Sequence, residues 1–307
     1  MPVTRKQIRG MYKPFLVEAI RLEGEVQAVL DEWEKENEKI VLRNSTSSGI
    51  KNQQTLMREL LVAITYFLSQ YGIVMDTGMG RITDAKVKQC LEESLPLLRA
   101  VQDVEDMQLF RNSLGEFQAQ YKNDWKLMAI GAYALTFIDR QKGVAISTEK
   151  TVNNIVTLGI KQGFGAKQLI ETLNDYINPN TKAEKPFDIA RKALGASKDF
   201  RPKDVLAGSV QTNLYEITRN EVAELWRNMT EDAYRDAEWV KGYRWELSGS
   251  HPATDICDDL AEHGVYEKNE ERPYSHGHCL CDWVPELLTI SEMRELLETQ
   301  ASLYNKK

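Results

Sequence analysis

Residues 240–247 read Val240-Lys-Gly-Tyr-Arg-Trp-Glu-Leu247. Tyr243, Trp245 and Leu247 alternate with Arg244 and Glu246, which is the period of a half-buried strand. Before this stretch the apolar spacing is helical, and a long helix is expected from about Pro202 or Asp204 to Ala237. After it, residues 248–282 are irregular and rich in Gly, Pro, His and Cys. Cys279-Leu-Cys-Asp-Trp-Val284 reads as a second short strand, and Ile290 to about Tyr304 as a closing helix. The expected fold class is mainly α. An N-terminal helical bundle precedes an α+β C-terminal domain with a small antiparallel sheet and a Cys/His-rich loop.

The upstream helices follow from the spacing of apolar residues. Leu16, Ala19, Ile20, Leu22, Val26, Val29, Leu30 and Trp33 recur every three or four positions, with charged residues continuing to Arg43. Asn44-Ser-Thr-Ser-Ser-Gly49 is a loop by composition. A second helix is expected over Gln53–Met75, buried through Leu56, Leu60, Leu61, Ile64, Phe67 and Leu68, and broken at Asp76-Thr-Gly-Met-Gly80. Helices at about 83–100, 103–121 and 124–141 follow, the last apolar on most sides and central to the bundle. A helix pair, Glu149–Lys161 and Ala166–Ile177, is separated by Gly163-Phe-Gly165. Residues 178–204 read as a basic insertion with one short helix near Phe187–Leu194. The expected divisions are 1–145 for the helical domain, 146–285 for the second domain including that insertion, and 286–307 for the terminal helix.

The chain has 307 residues, 42% hydrophobic and 28% charged, an ordinary globular balance. Its start lacks the apolar core of a secretory signal, and Leu127–Ile138 is too short to span a bilayer, so no membrane association is expected. Net charge is −7. Residues 140–204 nevertheless carry 12 Lys/Arg against 7 Asp/Glu, whereas residues 205–285 carry 7 against 16. Any contact with DNA is therefore expected through the basic 140–204 region and not the C-terminal domain, the alternative being that this region is a solvated basic surface.

Three of the four cysteines and all four histidines fall between His251 and Cys281. A reducing compartment argues against disulfides, and residues 279 and 281 are too close in sequence to bridge each other. A metal site accounts for the cluster better. The preferred set is Cys257, His276, Cys279 and Cys281, with His278 or His251 as alternates. His263 lies in an acidic run and reads as a surface residue. The expected metal is a structural zinc ion, because this loop-rich segment buries too little apolar surface to hold itself. Cys90 stands alone as a buried helix residue.

A cysteine nucleophile is disfavoured, since Asp255, Asp258 and Asp259 flank Cys257 and raise its pKa. A metal-dependent hydrolase or nuclease is the alternative, with Asp255, Asp258 or Glu221 as base.

The order of these features resembles the phage head-morphogenesis family, the phage Mu F-type domain. The matching elements are the pair IVTLGIKQGFGAKQLIETL (155–173), the helix ITRNEVAELWRN (217–228) with Arg219 and Glu221, the segment VKGYRWELSGSHPATDICDDLAEHGVY (240–266), and the close HGHCLC (276–281). The resemblance covers roughly residues 150–285. It implies a minor capsid protein of a tailed bacteriophage, not an enzyme, with the portal protein and capsid as partners. Such a protein is assembled in the host cytoplasm and resides in the virion. Arg219 and Glu221 are then expected to tie the long helix to the loops it supports. The insertion at 178–204 is longer than the compact family form, and residues 1–140 carry no motif of it.

Overall fold

The computed structural model describes residues 13–46, 49–101, 104–128, 135–179, 209–248, 255–275 and 279–304. The elements in order are α1 (Lys13–Arg43), the short strands β1 (Ser45–Thr46) and β2 (Gly49–Ile50), α2 (Gln53–Ala100), α3 (Val104–Asp124) and a 3-10 turn (Trp125–Leu127). Then come α4 (Phe137–Lys161), α5 (Ala166–Ile177), α6 (Val210–Tyr234), β3 (Val240–Glu246), α7 (Ile256–Glu262), β4 (Val265–Glu267), β5 (Asp282–Leu287) and α8 (Ile290–Tyr304). The chain is mainly helical, with a small antiparallel sheet and a cysteine cluster near its C-terminal end, as the periodicity implies. The short helix expected at Phe187–Leu194 lies outside the described residues.

The chain divides into two compact units. One comprises residues 20–77 and 135–218, the other 1–19, 78–134 and 219–307. Each draws on residues before and after position 145.

The first unit is helical. Trp33 of α1 stacks on Phe67 of α2 at 4.3 Å, and Leu30, Leu56, Leu60, Ile64, Val152, Ile155, Leu169 and Leu173 are buried. Asn44 ends α1 by donating from Nδ2 to the Ile40 carbonyl at 2.9 Å and to Glu59 at 2.7 Å. The start of α4 differs from the expected helix at 124–141. Thr136 and Asp139 form a reciprocal capping box, so the helix begins at Phe137 and runs unbroken past Glu149. Residues 129–134 of the expected apolar helix lie outside the described residues. Gly163, at φ +76°, turns the chain out of α4, and α5 then spans the range read from the sequence.

The expected break at Asp76–Gly80 does not occur, because α2 is one helix of 48 residues. Glycine costs a helix roughly 1 kcal/mol relative to alanine. Met75, Met79 and Ile82 are fully buried on a continuous seam through the glycines, and burial outweighs that cost. By length and composition α2 also contains the chain's one described window apolar enough to cross a membrane, a stretch that exceeds Leu127–Ile138. Its Leu56, Leu60, Ile64, Phe67 and Tyr71 are core residues of this unit.

The second unit holds the sheet, in the order β4-β3-β5, with both pairings antiparallel. Trp245 of β3 faces Trp283 of β5, and Tyr243 faces Tyr266 of β4. An aromatic core joins the sheet to helices. Tyr243 stacks on Trp283 at 5.3 Å, and Phe110 of α3 lies edge-on to Trp239 at 5.3 Å. Tyr234 closes α6 into the same core and donates to the Glu93 carboxylate at 2.9 Å. Two elements, α7 and β4, occupy a stretch that reads as irregular. The second strand begins at Asp282, not Cys279. Thr289 and Glu292 cap α8, which spans the expected residues.

Gly242 sits where β3 meets β4, and a Cβ there would run into the Tyr266 carbonyl oxygen. Gly242→Ala is expected to lose about 1–3 kcal/mol of stability, measured by urea denaturation followed through tryptophan fluorescence. An unchanged midpoint would mean that the sheet edge yields without cost.

Candidate metal centre

The site is built from two ends of the sheet region. Asp255 caps α7, accepting from the Cys257 backbone N–H at 2.7 Å, while its own N–H donates to Asp258 at 2.7 Å. This reciprocal cap fixes Cys257 in the first helical turn, fully buried. Cys279 and Cys281 lie just before β5 and are also buried. The Cys281 N–H turns back to the Cys279 sulfur at 3.4 Å, and the Ser248 N–H reaches the Cys281 sulfur at 3.4 Å. A turn, rather than the alternation of a strand, therefore brings the last two thiols together.

The three sulfurs lie within 4.8 Å of one another, and those of Cys257 and Cys279 are 3.4 Å apart. A tetrahedral zinc ion with Zn–S bonds of about 2.3 Å holds its sulfurs about 3.8 Å apart. The triad fits such an ion with small adjustments, and these three buried cysteines could bind a metal ion such as zinc. All four cysteines are free thiols.

Of the other sequence candidates, His251, His276 and His278 lie outside the described residues. His263 is exposed, stacks on Tyr266 at 4.0 Å and faces Glu270 at 3.8 Å, away from a ligand role. Cys90 is buried alone in α2, with burial pushing its thiol up to about 12.

A buried arginine organises the thiols. Arg227 of α6 donates through Nε and Nη2 to the Cys281 carbonyl at 3.1 and 2.7 Å. Nη2 also reaches the Cys279 carbonyl at 3.2 Å and its sulfur at 3.3 Å. Nη1 pairs with Glu224 at 2.7 Å and contacts Ser275 at 3.3 Å, and the guanidinium lies 4.8 Å from the Trp245 ring. Those two carbonyls thus accept from the guanidinium, and β5 starts directly after them at Asp282. Glu224 is shared with Arg272 at 2.7 Å, and Arg272 in turn holds Asn228.

The surroundings of the three thiols bias them differently. The hydrogen bond from Cys281 and the Arg227 cation, against the cost of burial, hold Cys279 below the usual thiol range. Burial, followed by the neighbouring Cys279, pushes the Cys257 thiol up. Donating to Cys279, and then burial, raise Cys281. The direction expected for Cys257 from its flanking aspartates holds, but its main cause is burial.

Sequence reasoning looked to Arg219 and Glu221 and missed Arg227, Glu224, Arg272 and Ser275. Glu221 is buried and Arg219 half-buried. The available signal was Arg227 itself, a cation placed directly after Trp226 on the buried side of an amphipathic helix.

Asp282 follows the cluster and is buried, accepting from Trp226 Nε1 at 3.1 Å. Opposite it across the ladder stands Glu246. Burial, then Asp282, raises Glu246 from about 4.5 to about 7, against the opposing Arg244. A carboxyl raised on folding binds its proton more tightly in the folded state, so its contribution falls as pH rises from about 4.5 through about 7. Glu246→Gln is expected to flatten the loss of stability between those pH values in urea titrations. The effect will be smaller than linkage alone gives, because the side chain is partly solvated. A variant with the wild-type slope would clear Glu246 of that role.

Comparison with protein-family models, curated proteins and solved structures found no match to this chain.

Proposed function

We propose that this chain is a minor head protein of a tailed bacteriophage, acting near the portal in head assembly and DNA packaging or delivery. In this reading its C-terminal thiols hold a structural zinc ion. Cys257, Cys279 and Cys281 supply three thiolates, and His276 supplies the fourth donor, with His278 and His251 as alternates. The virion is its site of residence, and the portal protein and capsid are its partners.

The observation that carries this reading is the meeting of three buried thiols from segments 22 residues apart, in the motif order of the family it resembles. Structural zinc sites are closed and contribute folding free energy to segments with little core of their own. A hydrolytic centre needs a coordination position open to water, and the burial of all three thiols favours the closed arrangement. Exposed Lys142, Lys150, Lys161 and Lys167 on α4 and α5 suit contact with DNA phosphates.

Two measurements test the two halves of the reading. The purified chain is expected to carry one zinc per molecule, to lose the near-ultraviolet signal of its sheet tryptophans on chelation, and to lose stoichiometric zinc in Cys257→Ser. A chelated chain that keeps its fold would contradict a structural role for the metal. Mass spectrometry of particles assembled with this chain is expected to find it in few copies beside the portal, including in DNA-free heads. Its absence from such particles would overturn the virion assignment.

A further inference from the structure

We propose that Arg227 is the positioning residue of the metal centre, presetting the Cys279–Cys281 turn for a divalent cation and holding the Cys279 thiolate by a charge-assisted hydrogen bond. This role rests on the metal-binding reading above. One planar guanidinium bridges the carbonyls of Cys279 and Cys281 and the Cys279 sulfur, all within 3.3 Å. Only arginine offers donors in a rigid fork that can serve several acceptors at once. The side chain is 3% exposed, so its cation acts at low dielectric. Glu224, its carboxylate partner at 2.7 Å, also pairs with Arg272, which Glu231 holds in turn at 3.4 Å, so the guanidinium is fixed in place by an ion-pair network on the side away from the thiols. Three thiolates around a divalent cation carry one net negative charge between them. The guanidinium faces that charge at its nearest sulfur. Groups bonded to metal ligands in this way set ligand orientation and metal affinity.

The test uses the full chain, with cobalt(II) as the spectroscopic probe and a chelator as competitor. Wild type is expected to bind one equivalent, with thiolate-to-cobalt charge-transfer absorption. Arg227→Gln should bind roughly 10–100-fold more weakly. Its charge-transfer band should also move to longer wavelength, because the thiolate loses a donated hydrogen bond. A purely structural role would not shift that band. Arg227→Lys keeps the cation without the fork and should fall between the two. A Gln variant matching wild type in affinity and band position overturns the proposal. If the Gln variant does not fold, a Lys variant matching wild type in both readings overturns it instead. A wild-type chain that takes up neither cobalt nor zinc sinks the metal reading itself, and Arg227's role with it.

Discussion

The C-terminal region depends on one buried cation. Arg227 is carried by a long helix, yet most of its donors serve backbone carbonyls and a sulfur in a segment more than 50 residues later. A buried carbonyl without a partner costs about 1–3 kcal/mol. The turn before β5 has no strand partner for those carbonyls, so the guanidinium satisfies what a sheet would otherwise supply. The same guanidinium lies at the Cys279 sulfur, so the residue that satisfies this turn also adjoins the thiols that approach Cys257.

The parts legible in the sequence were those with a strong local signal. The helices at 166–177 and 290–304 and the strand at 240 carry both periodicity and recognisable ends, and they stand where the pattern placed them. The convergence of Cys257 with Cys279 and Cys281 was legible from clustering alone. The elements α7 and β4, of seven and three residues, are too short to establish a period. The start of the helix at Phe137 depended on a Thr136–Asp139 cap hidden inside an apolar run that resembled helix interior. Arg227 was invisible to a search for metal donors, because it offers none itself and acts on the backbone of residues that could.

The continuity of α2 shows the limit of local propensity. Two glycines within three residues read as a break, and in isolation they would favour one. Met75, Met79 and Ile82 each lose all exposure along the same seam. Side-chain burial of that size exceeds the entropic cost of ordering glycine, and the decision passes from the neighbouring residues to the tertiary environment. Composition alone ranks this helix among candidate membrane spans for the same reason, since core seams and lipid-facing surfaces use the same side chains.

The interleaving of the two units along the chain has a consequence for how the protein is made. The helical residues 78–100 and 104–124 leave the ribosome with Leu97, Leu98, Phe110 and Leu114 uncovered, and the first strand of the sheet, at Val240, arrives roughly 115 residues later, on the order of ten seconds at ordinary synthesis rates. During that interval the nascent chain displays an apolar face with no native cover. Transiently exposed apolar surface of this kind is where a nascent chain aggregates, so shielding of that face by a chaperone bears on yield independently of the final stability of the core.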